Sequence, residues 1–281
     1  MFGPRLASGI VLVVFAFLAL FFGDWILATV LCLISVIGYY ELTCALKSQK
    51  ERTDQSRASF SSRFKDNQLE IVGYLGIGGF YSALYFWDSF TPLFVIPIVV
   101  LLLQLFVYVI RFPAFHVDRV AKTSFSFFYV PILLSFVYLT REAPGGSRLV
   151  WLILIGAWGS DTCAYVVGKL IGKKRIFPVL SPKKSFEGCI GGVVGAALIG
   201  GVYAYFEPLY AGQSVVWQVA FICAAASVIG QVGDLAASAM KRDYQIKDYG
   251  KLIPGHGGVL DRFDSMLATA PAIYILTILI F

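Results

Sequence analysis

Nine long runs of apolar residues dominate this 281-residue chain and constrain its fold more than any other feature. In lipid, every backbone N–H and C=O group must be paired internally, so an apolar run of about 17 to 25 residues crosses the membrane as an α-helix. Only 14% of the residues are charged, against about 25% in soluble domains. A water-soluble enzyme is therefore excluded, and the sequence predicts an all-α, polytopic integral membrane helical bundle. The predicted helices span about 6–22, 25–46, 71–87, 92–110, 124–140, 149–168, 188–206, 216–240 and 262–281.

The basic residues are distributed unevenly between the loops. Short loops rich in Lys and Arg resist translocation and mark the cytoplasmic side of a membrane protein. With a cytoplasmic N-terminus, the cytoplasmic segments hold 21 of the 23 basic residues, and these segments are Arg5, 47–70, 111–122, 169–187 and 241–262. We therefore expect the N-terminus and the basic loops, with any active site that these loops carry, on the cytoplasmic face. We also expect the membrane to be a bacterial inner (plasma) membrane.

The two halves of the sequence differ in their polar content. We predict that residues 1–148 form five helices that act as scaffold, lipid entrance or oligomer contact, and that residues 149–281 form four helices with the catalytic loops. The net charge of +6 lies in loops between apolar spans, where anionic headgroups and phosphates are nearer partners than nucleic acid, which we do not expect to bind. The cysteines stand singly in apolar runs, without the spacing of a zinc site or a disulfide framework, at Cys32, Cys44, Cys163, Cys189 and Cys223.

Two aspartates lie within predicted membrane helices. Charged residues are costly there and usually functional. Asp161 follows Trp158-Gly159-Ser160, and its structural alternative is an ion pair that holds neighbouring helices together. Asp234 begins a helical face that continues through Ser238 and Lys241, four and seven residues later.

The loop before the seventh predicted helix combines hydroxyl and charged side chains. A helix N-terminus favours anions, and Lys adds a mobile positive charge, so this pattern indicates a phosphate site. Its candidate residues are Ser181, Lys183, Lys184, Ser185 and Glu187. Ser185 has a structural alternative as the cap of the following helix. For the basic run 173–175 we favour a role in membrane topology.

The segment 238–264 is the most densely charged part of the sequence, with five basic and four acidic residues. The turn 254–258 contains three glycines, and such a turn can aim backbone N–H groups at phosphate oxygens. Asp261 and Asp264 follow one helical turn apart. Carboxylates beside a basic, Gly-rich loop suit Mg²⁺ with a polyphosphate. Alternatively, the two aspartates only offset the charges of Arg262 and Lys251.

These residues resemble the signature of the phosphatidate cytidylyltransferases, also called CDP-diacylglycerol synthases. The similar pattern is Ser238-x-Met240-Lys241-Arg242-x4-Lys247-Asp248-x-Gly250-x2-Ile253-Pro254-Gly255-His256-Gly257-Gly258-x2-Asp261-Arg262-x-Asp264. A second region of the family resembles Asp161-x2-Ala164-Tyr165 and Ser181-Pro182-Lys183-Lys184-Ser185-x-Glu187-Gly188. The motifs cover about residues 158 to 265, and they imply that CTP and phosphatidic acid give CDP-diacylglycerol and pyrophosphate, with Mg²⁺ required.

The resemblance also implies roles for individual residues. Asp234 and Asp261 would bind the metal, Asp161 and Asp264 would be further ligands or partners, and a second cation of unknown identity could share these carboxylates. The catalytic set would be Asp234, Asp261, Lys241, Arg262 and His256, with His256 donating a hydrogen bond within the glycine turn. The substrate phosphates would contact Ser181, Lys183, Lys184, Ser185, Glu187, Ser238, Lys241, Arg242, Lys247, Asp248, Gly257, Gly258 and Arg262. Membrane lipids and a second copy of the chain, in a homodimer, are further expected partners.

Two other functions compete with this interpretation. A CTP-dependent lipid or polyprenol kinase would transfer the γ-phosphoryl group to an alcohol, and the complete cytidylyltransferase pattern argues against it. A membrane transporter of phosphorylated compounds would also carry intramembrane aspartates. Transporters usually have repeated halves and midplane sites, whereas the polar residues here lie near one face.

Overall fold

The computed structural model describes residues 3–47, 66–87, 90–207, 214–252 and 257–281, and for residues 3–12 it describes the backbone only. The chain divides into two compact units that alternate along the sequence. The first unit comprises Met1–Ile10, Asp24–Ser135 and Ile246–Asp261, and the second comprises Val11–Gly23, Phe136–Gln245 and Arg262–Phe281. The predicted division of roles between residues 1–148 and 149–281 stays a prediction.

Long apolar helices form most of the described structure. They are α1 (Gly3–Phe22), α2 (Asp24–Ala45), α3 (Gln68–Phe86), α4 (Thr91–Arg111), α5 (Val117–Glu142), α6 (Gly146–Leu170), α7 (Phe186–Phe206), α8 (Val216–Asp243) and α9 (Leu260–Ile280). Among the residues searched, the eight helices α2 to α9 are long and apolar enough to cross a membrane, and α1 contributes the shorter apolar helix Val13–Phe22. The chain is a polytopic helical membrane protein, as predicted.

Helices α5 and α6 depart from regular α-helical geometry. Prediction placed the start of the fifth helix near residue 124, but α5 begins at Val117, because its first turns are polar and add nothing to an apolar run. A π-helical turn at Phe128–Ile132 contains Pro131, which lacks the N–H group that a regular helix needs. A second π-helical turn, Ile155–Gly159, ends one residue before Ser160. Such turns occur frequently at functional sites.

Buried polar contacts connect the helices of the first unit. The Tyr81 hydroxyl lies 2.9 Å from Ser35 Oγ and donates to the Pro131 carbonyl at 3.2 Å. The Glu70 carboxylate forms ion pairs of 3.0 Å with both Lys47 and Arg119. These polar groups are therefore paired inside the unit instead of facing lipid, where they would be costly.

Glycines allow close packing between α6 and α7 in the second unit. A Cβ atom at Gly191 would collide with the Val167 side chain, and one at Gly195 would collide with Cys163. Small residues at such positions let membrane helices approach each other closely.

We expect Gly191→Ala to destabilise the protein. Val167 is β-branched and has essentially one χ1 rotamer in a helix, so it cannot rotate away from an added methyl group. Overpacking of this kind costs about 1–3 kcal/mol, which should lower the thermal unfolding midpoint in detergent. The matched control is Gly79→Ala, where no atom lies within 4 Å of the added Cβ. Equal midpoints for the two variants would contradict this account.

Arg141 and Arg148 are the two basic residues outside the segments predicted to be cytoplasmic, and both have local partners in the second unit. Arg141 Nε donates to the Leu20 carbonyl at 3.0 Å, near the C-terminus of α1. A positive charge there satisfies an unpaired carbonyl and complements the helix dipole. Arg148 lies 3.9 Å from Glu207.

Candidate active site

Three aspartates of the second unit form an acidic cluster, namely Asp161 on α6, Asp234 on α8 and Asp264 on α9. Asp161 and Asp264 each interact electrostatically with Asp234 and with one another. The buried Ser265 hydroxyl donates to Asp161 Oδ2 at 3.1 Å, and the Ser265 N–H donates to Asp264 Oδ1 at 2.9 Å. One serine therefore helps to orient two of the three carboxylates.

Two lysines offset part of this negative charge. Lys184 Nζ lies 2.5 Å from Asp234 Oδ2, and both side chains are about one quarter exposed or less. Lys241 Nζ lies 3.9 Å from Asp264 Oδ2, and each of these side chains is 13% exposed. The pairing of acidic and basic groups leaves the cluster with both the oxygen donors that a cation requires and the positive charges that a phosphate requires.

A cavity of about 340 Å³ lies beside the acidic cluster. Its volume falls within the usual range of ligand sites, about 300–1,000 Å³. Asp161 is the one acidic residue of its lining, and the basic residues Lys169, Arg175, Lys183 and Lys184 outnumber it. The cavity therefore suits an anionic ligand. Other lining residues are Ala164, Tyr165, Gly168, Ser185, Gly188, Cys189 and Gln231.

The loop between α6 and α7 is held by two of its predicted site residues. Ser185 is the N-cap of α7, because its Oγ accepts a hydrogen bond from the Gly188 N–H at 3.2 Å. The capping alternative for Ser185 is therefore confirmed, although the same residue also lines the cavity. Glu187 Oε2 accepts from the Lys173 N–H at 3.0 Å, which fixes the start of the loop. Ser181 contributes its carbonyl to the Lys184 N–H at 3.1 Å.

Arg262 belongs to the second unit and lies at the start of α9. The Trp158 indole N–H donates to its carbonyl at 3.4 Å. Its own Nε is buried and has no hydrogen-bond partner among the described residues. A buried guanidinium N–H without a partner is costly, and a phosphate oxygen is the type of acceptor that would satisfy it.

In the first unit, Asp261 organises the segment that precedes α9. Its Oδ2 accepts hydrogen bonds from the Tyr249 N–H at 2.8 Å and the Gly258 N–H at 3.0 Å. Gly257 has φ +86°, a conformation that favours glycine, and a Cβ there would press against Asp248 and Asp261. Three residues of the predicted signature, Asp248, Gly257 and Asp261, are thus brought together.

Sequence analysis missed one contact of this segment. Glu41 on α2 is only 4% exposed, and its two carboxylate oxygens accept from the Val259 and Leu260 N–H groups at 3.0 and 2.8 Å. The available signal was an acidic residue near the end of a predicted membrane helix, which alone does not distinguish a buried contact from a charge at the lipid interface. Gln231, a polar residue on α8, was likewise not selected, although it lines the cavity.

The remaining predicted site residues lie on both units. Ser238 is half-buried on α8, and Arg242 is exposed in the last turn of the same helix. Lys247 and Asp248 are exposed in the first unit. His256 lies outside the described residues.

The acidic cluster fits a magnesium ion by its donor chemistry. Among the described residues, no group of three or more His, Cys, Asp or Glu side chains is arranged to hold a metal. Mg²⁺ commonly uses only one or two protein carboxylates and completes its octahedron with water and phosphate oxygens. Two aspartates of the cluster therefore suffice for it.

Comparison with known proteins identifies the family of the chain. A protein named phosphatidate cytidylyltransferase from Staphylococcus epidermidis is 39% identical over 150 residues, and one of the same name from Staphylococcus aureus is 40% identical over 150 residues. Each alignment covers 53% of this chain and 56% of the relative, so the chain spans about half the length of these relatives. A family model described as the cytidylyltransferase family matches residues 4–280. The chain belongs to the cytidylyltransferase family.

Proposed function

We propose that the protein is a phosphatidate cytidylyltransferase, which transfers CMP from CTP to phosphatidic acid and is Mg²⁺-dependent. The observation that carries the proposal is the acidic cluster of Asp161, Asp234 and Asp264, with Lys184 and Lys241 paired to it, beside a basic cavity. Membership of the family and the names of the Staphylococcus relatives support the same activity.

The reaction needs positioning and charge neutralisation more than acid–base chemistry. An oxygen of the lipid phosphate attacks the α-phosphorus of CTP and forms a new P–O bond. The bond from the α-phosphorus to the oxygen that bridges to the β-phosphate breaks, and pyrophosphate leaves with that electron pair. The nucleophile is already anionic at neutral pH, so no side chain has to deprotonate it. Fixed positive charges directed at the phosphates are then the main contribution of the protein.

Each group of residues has a proposed task in this reaction. Lys183 and Lys184 in the cavity, with Arg262, would bind phosphate oxygens of CTP and lipid. Two of the aspartates Asp161, Asp234 and Asp264 would hold Mg²⁺, and Asp261 would fix the backbone through the Tyr249 and Gly258 N–H groups. When bound, Mg²⁺ supplies a Lewis acid that offsets negative charge on the phosphates and the departing pyrophosphate. The remaining predicted contacts with substrate, including His256, belong to the same proposal.

The proposed topology places the reaction where its substrates are. A cytoplasmic N-terminus would put the basic segments 169–187 and 241–262 on the cytoplasmic face, where CTP and anionic lipid headgroups are accessible. The inner membrane of a bacterium is the proposed location. A homodimer is part of the proposal on the strength of the family resemblance.

Product analysis tests the proposed reaction. Purified protein in detergent would receive CTP labelled at the α-phosphate, phosphatidic acid and Mg²⁺. We expect label in a chloroform-soluble lipid and release of pyrophosphate, both lost on chelation of the metal. Asp261→Asn should reduce both by at least about tenfold, because it removes a charge from the anchored segment. Label in CDP would instead indicate a kinase, and no turnover dependent on CTP and lipid would contradict the enzyme and leave transport to be assayed.

A further inference from the structure

The buried carboxylate of Glu41 binds the backbone of the segment that bears the family signature. We define the signature loop as residues 246–252 and 257–261. Glu41 Oε1 accepts from the Val259 N–H at 3.0 Å, and Oε2 accepts from the Leu260 N–H at 2.8 Å. Leu260 is the first residue of α9, so a side chain from another helix, 219 residues away in sequence, caps this helix. Negative charge at a helix N-terminus is favourable because the N–H groups and the dipole point toward it.

The glycines of the signature loop leave room for this carboxylate. A Cβ at Gly250 would collide with Glu41 Oε1, and a Cβ at Gly258 would collide with both carboxylate oxygens and with the Gly250 backbone nitrogen. Neither glycine has a positive φ. Close approach of Glu41, and not an unusual backbone conformation, therefore accounts for the absence of a side chain at these two positions.

Glu41 acts together with Asp261. Asp261 Oδ2 accepts from the Tyr249 and Gly258 N–H groups, so the two carboxylates bind four backbone N–H groups of the signature loop. The two carboxylates also repel each other electrostatically. A buried like-charge pair is costly unless hydrogen bonds to both groups compensate it. The conformation of the signature loop therefore depends on both.

We propose that Glu41 is a positioning residue that fixes the signature loop for the transfer reaction. This inference rests on the proposed function, because it assigns that loop, with Asp261, to the reaction. Both hydrogen bonds that the Glu41 carboxylate accepts come from the signature loop. Glu70 provides the contrast in the same unit, since it is 3% exposed but paired with Lys47 and Arg119.

Hydrogen–deuterium exchange of the full-length protein in detergent tests the anchoring directly. In Glu41→Gln, one acceptor oxygen is replaced by an NH₂ donor that faces a backbone N–H group. We expect exchange of the amides at Tyr249 and Gly258 to Leu260 to become at least about tenfold faster than in Glu70→Gln, the matched control. Gly250→Ala should give the same local change with Glu41 intact, because the added methyl group displaces the carboxylate.

Steady-state kinetics then distinguishes a positioning role of Glu41 from a role in stability alone. We expect Glu41→Gln to lower kcat by about tenfold or more, with a smaller change in KM for CTP and a thermal midpoint no lower than that of Glu70→Gln. Unchanged exchange in the signature loop would overturn the inference, as would an equal loss of kcat in both variants. Absence of turnover in the wild-type protein would contradict the proposed function alone, because exchange still reports whether Glu41 anchors the loop.

Discussion

Asp234→Asn is expected to lower the rate of CMP transfer by about a thousandfold or more. Asp234 interacts electrostatically with both other aspartates of the acidic cluster, and it is the member that forms the 2.5 Å ion pair with Lys184. Asn preserves the size of the side chain but removes its charge. The variant therefore loses a proposed cation ligand and leaves Lys184 without its counter-charge. The measurement is the rate at which label from α-labelled CTP enters the chloroform-soluble lipid.

The matched control for this prediction is Asp243→Asn. Asp243 is the last residue of the same helix and is exposed, so its substitution changes the net charge of the protein equally. We expect it to retain activity within about twofold, since surface substitutions usually have small effects. Comparable activity of the Asp234 and Asp243 variants would remove Asp234 from the site and with it the main support for the acidic cluster as a cation site.

Lys184→Gln is expected to reduce kcat/KM for CTP by several hundredfold, within the range of about 10²–10³ that loss of one transition-state contact causes. Lys184 lines the basic cavity and is paired with Asp234. It therefore connects the proposed phosphate contacts with the proposed cation ligands. Gln keeps much of the length and loses the charge, so the loss should appear mainly in kcat, as charge on the departing pyrophosphate increases.

Lys173→Gln is the control for Lys184→Gln. Lys173 belongs to the same loop, and its side chain is exposed. The Lys173 backbone N–H donates a hydrogen bond to Glu187, and the substitution leaves this hydrogen bond in place. We expect nearly wild-type kinetics, with any effect confined to membrane orientation, measured by labelling of single cysteines introduced into the loops. Equal kinetic defects in the two variants would indicate a general effect of loop charge, and not a specific contact of Lys184.

Much of the fold could be predicted because membrane helices are determined locally. The α4 helix, Thr91–Arg111, differs from its predicted limits by one residue at each end. Its apolar run ends where polar residues begin, so hydropathy defines both boundaries. The start of α5 was wrong by seven residues, because its first turns are polar and hydropathy does not mark them. The helical segments were thus predictable wherever the helix and its apolar run coincide.

The candidate site was predictable in its residue types but not in its contacts. Position within predicted membrane helices selected Asp161 and Asp234, spacing from Asp261 selected Asp264, and the structure brings these three aspartates together. Neither signal selected Glu41, since a single acidic residue at a helix end has no local pattern that distinguishes it from a lipid-interface charge. Spacing also could not specify that Asp261 Oδ2 would accept two backbone N–H groups.

The sequence by itself determined the helical membrane class and the chemical character of the site, because hydropathy and charge are properties of consecutive residues. The tertiary structure decided which polar groups come into contact. Glu41 contacts Val259 across 218 residues of sequence, and the acidic cluster draws one aspartate from each of three helices. Such contacts depend on how helices pack, and on glycines such as Gly191 and Gly250 whose small size allows the approach. That packing results from the balance of many distant interactions, which no local pattern encodes.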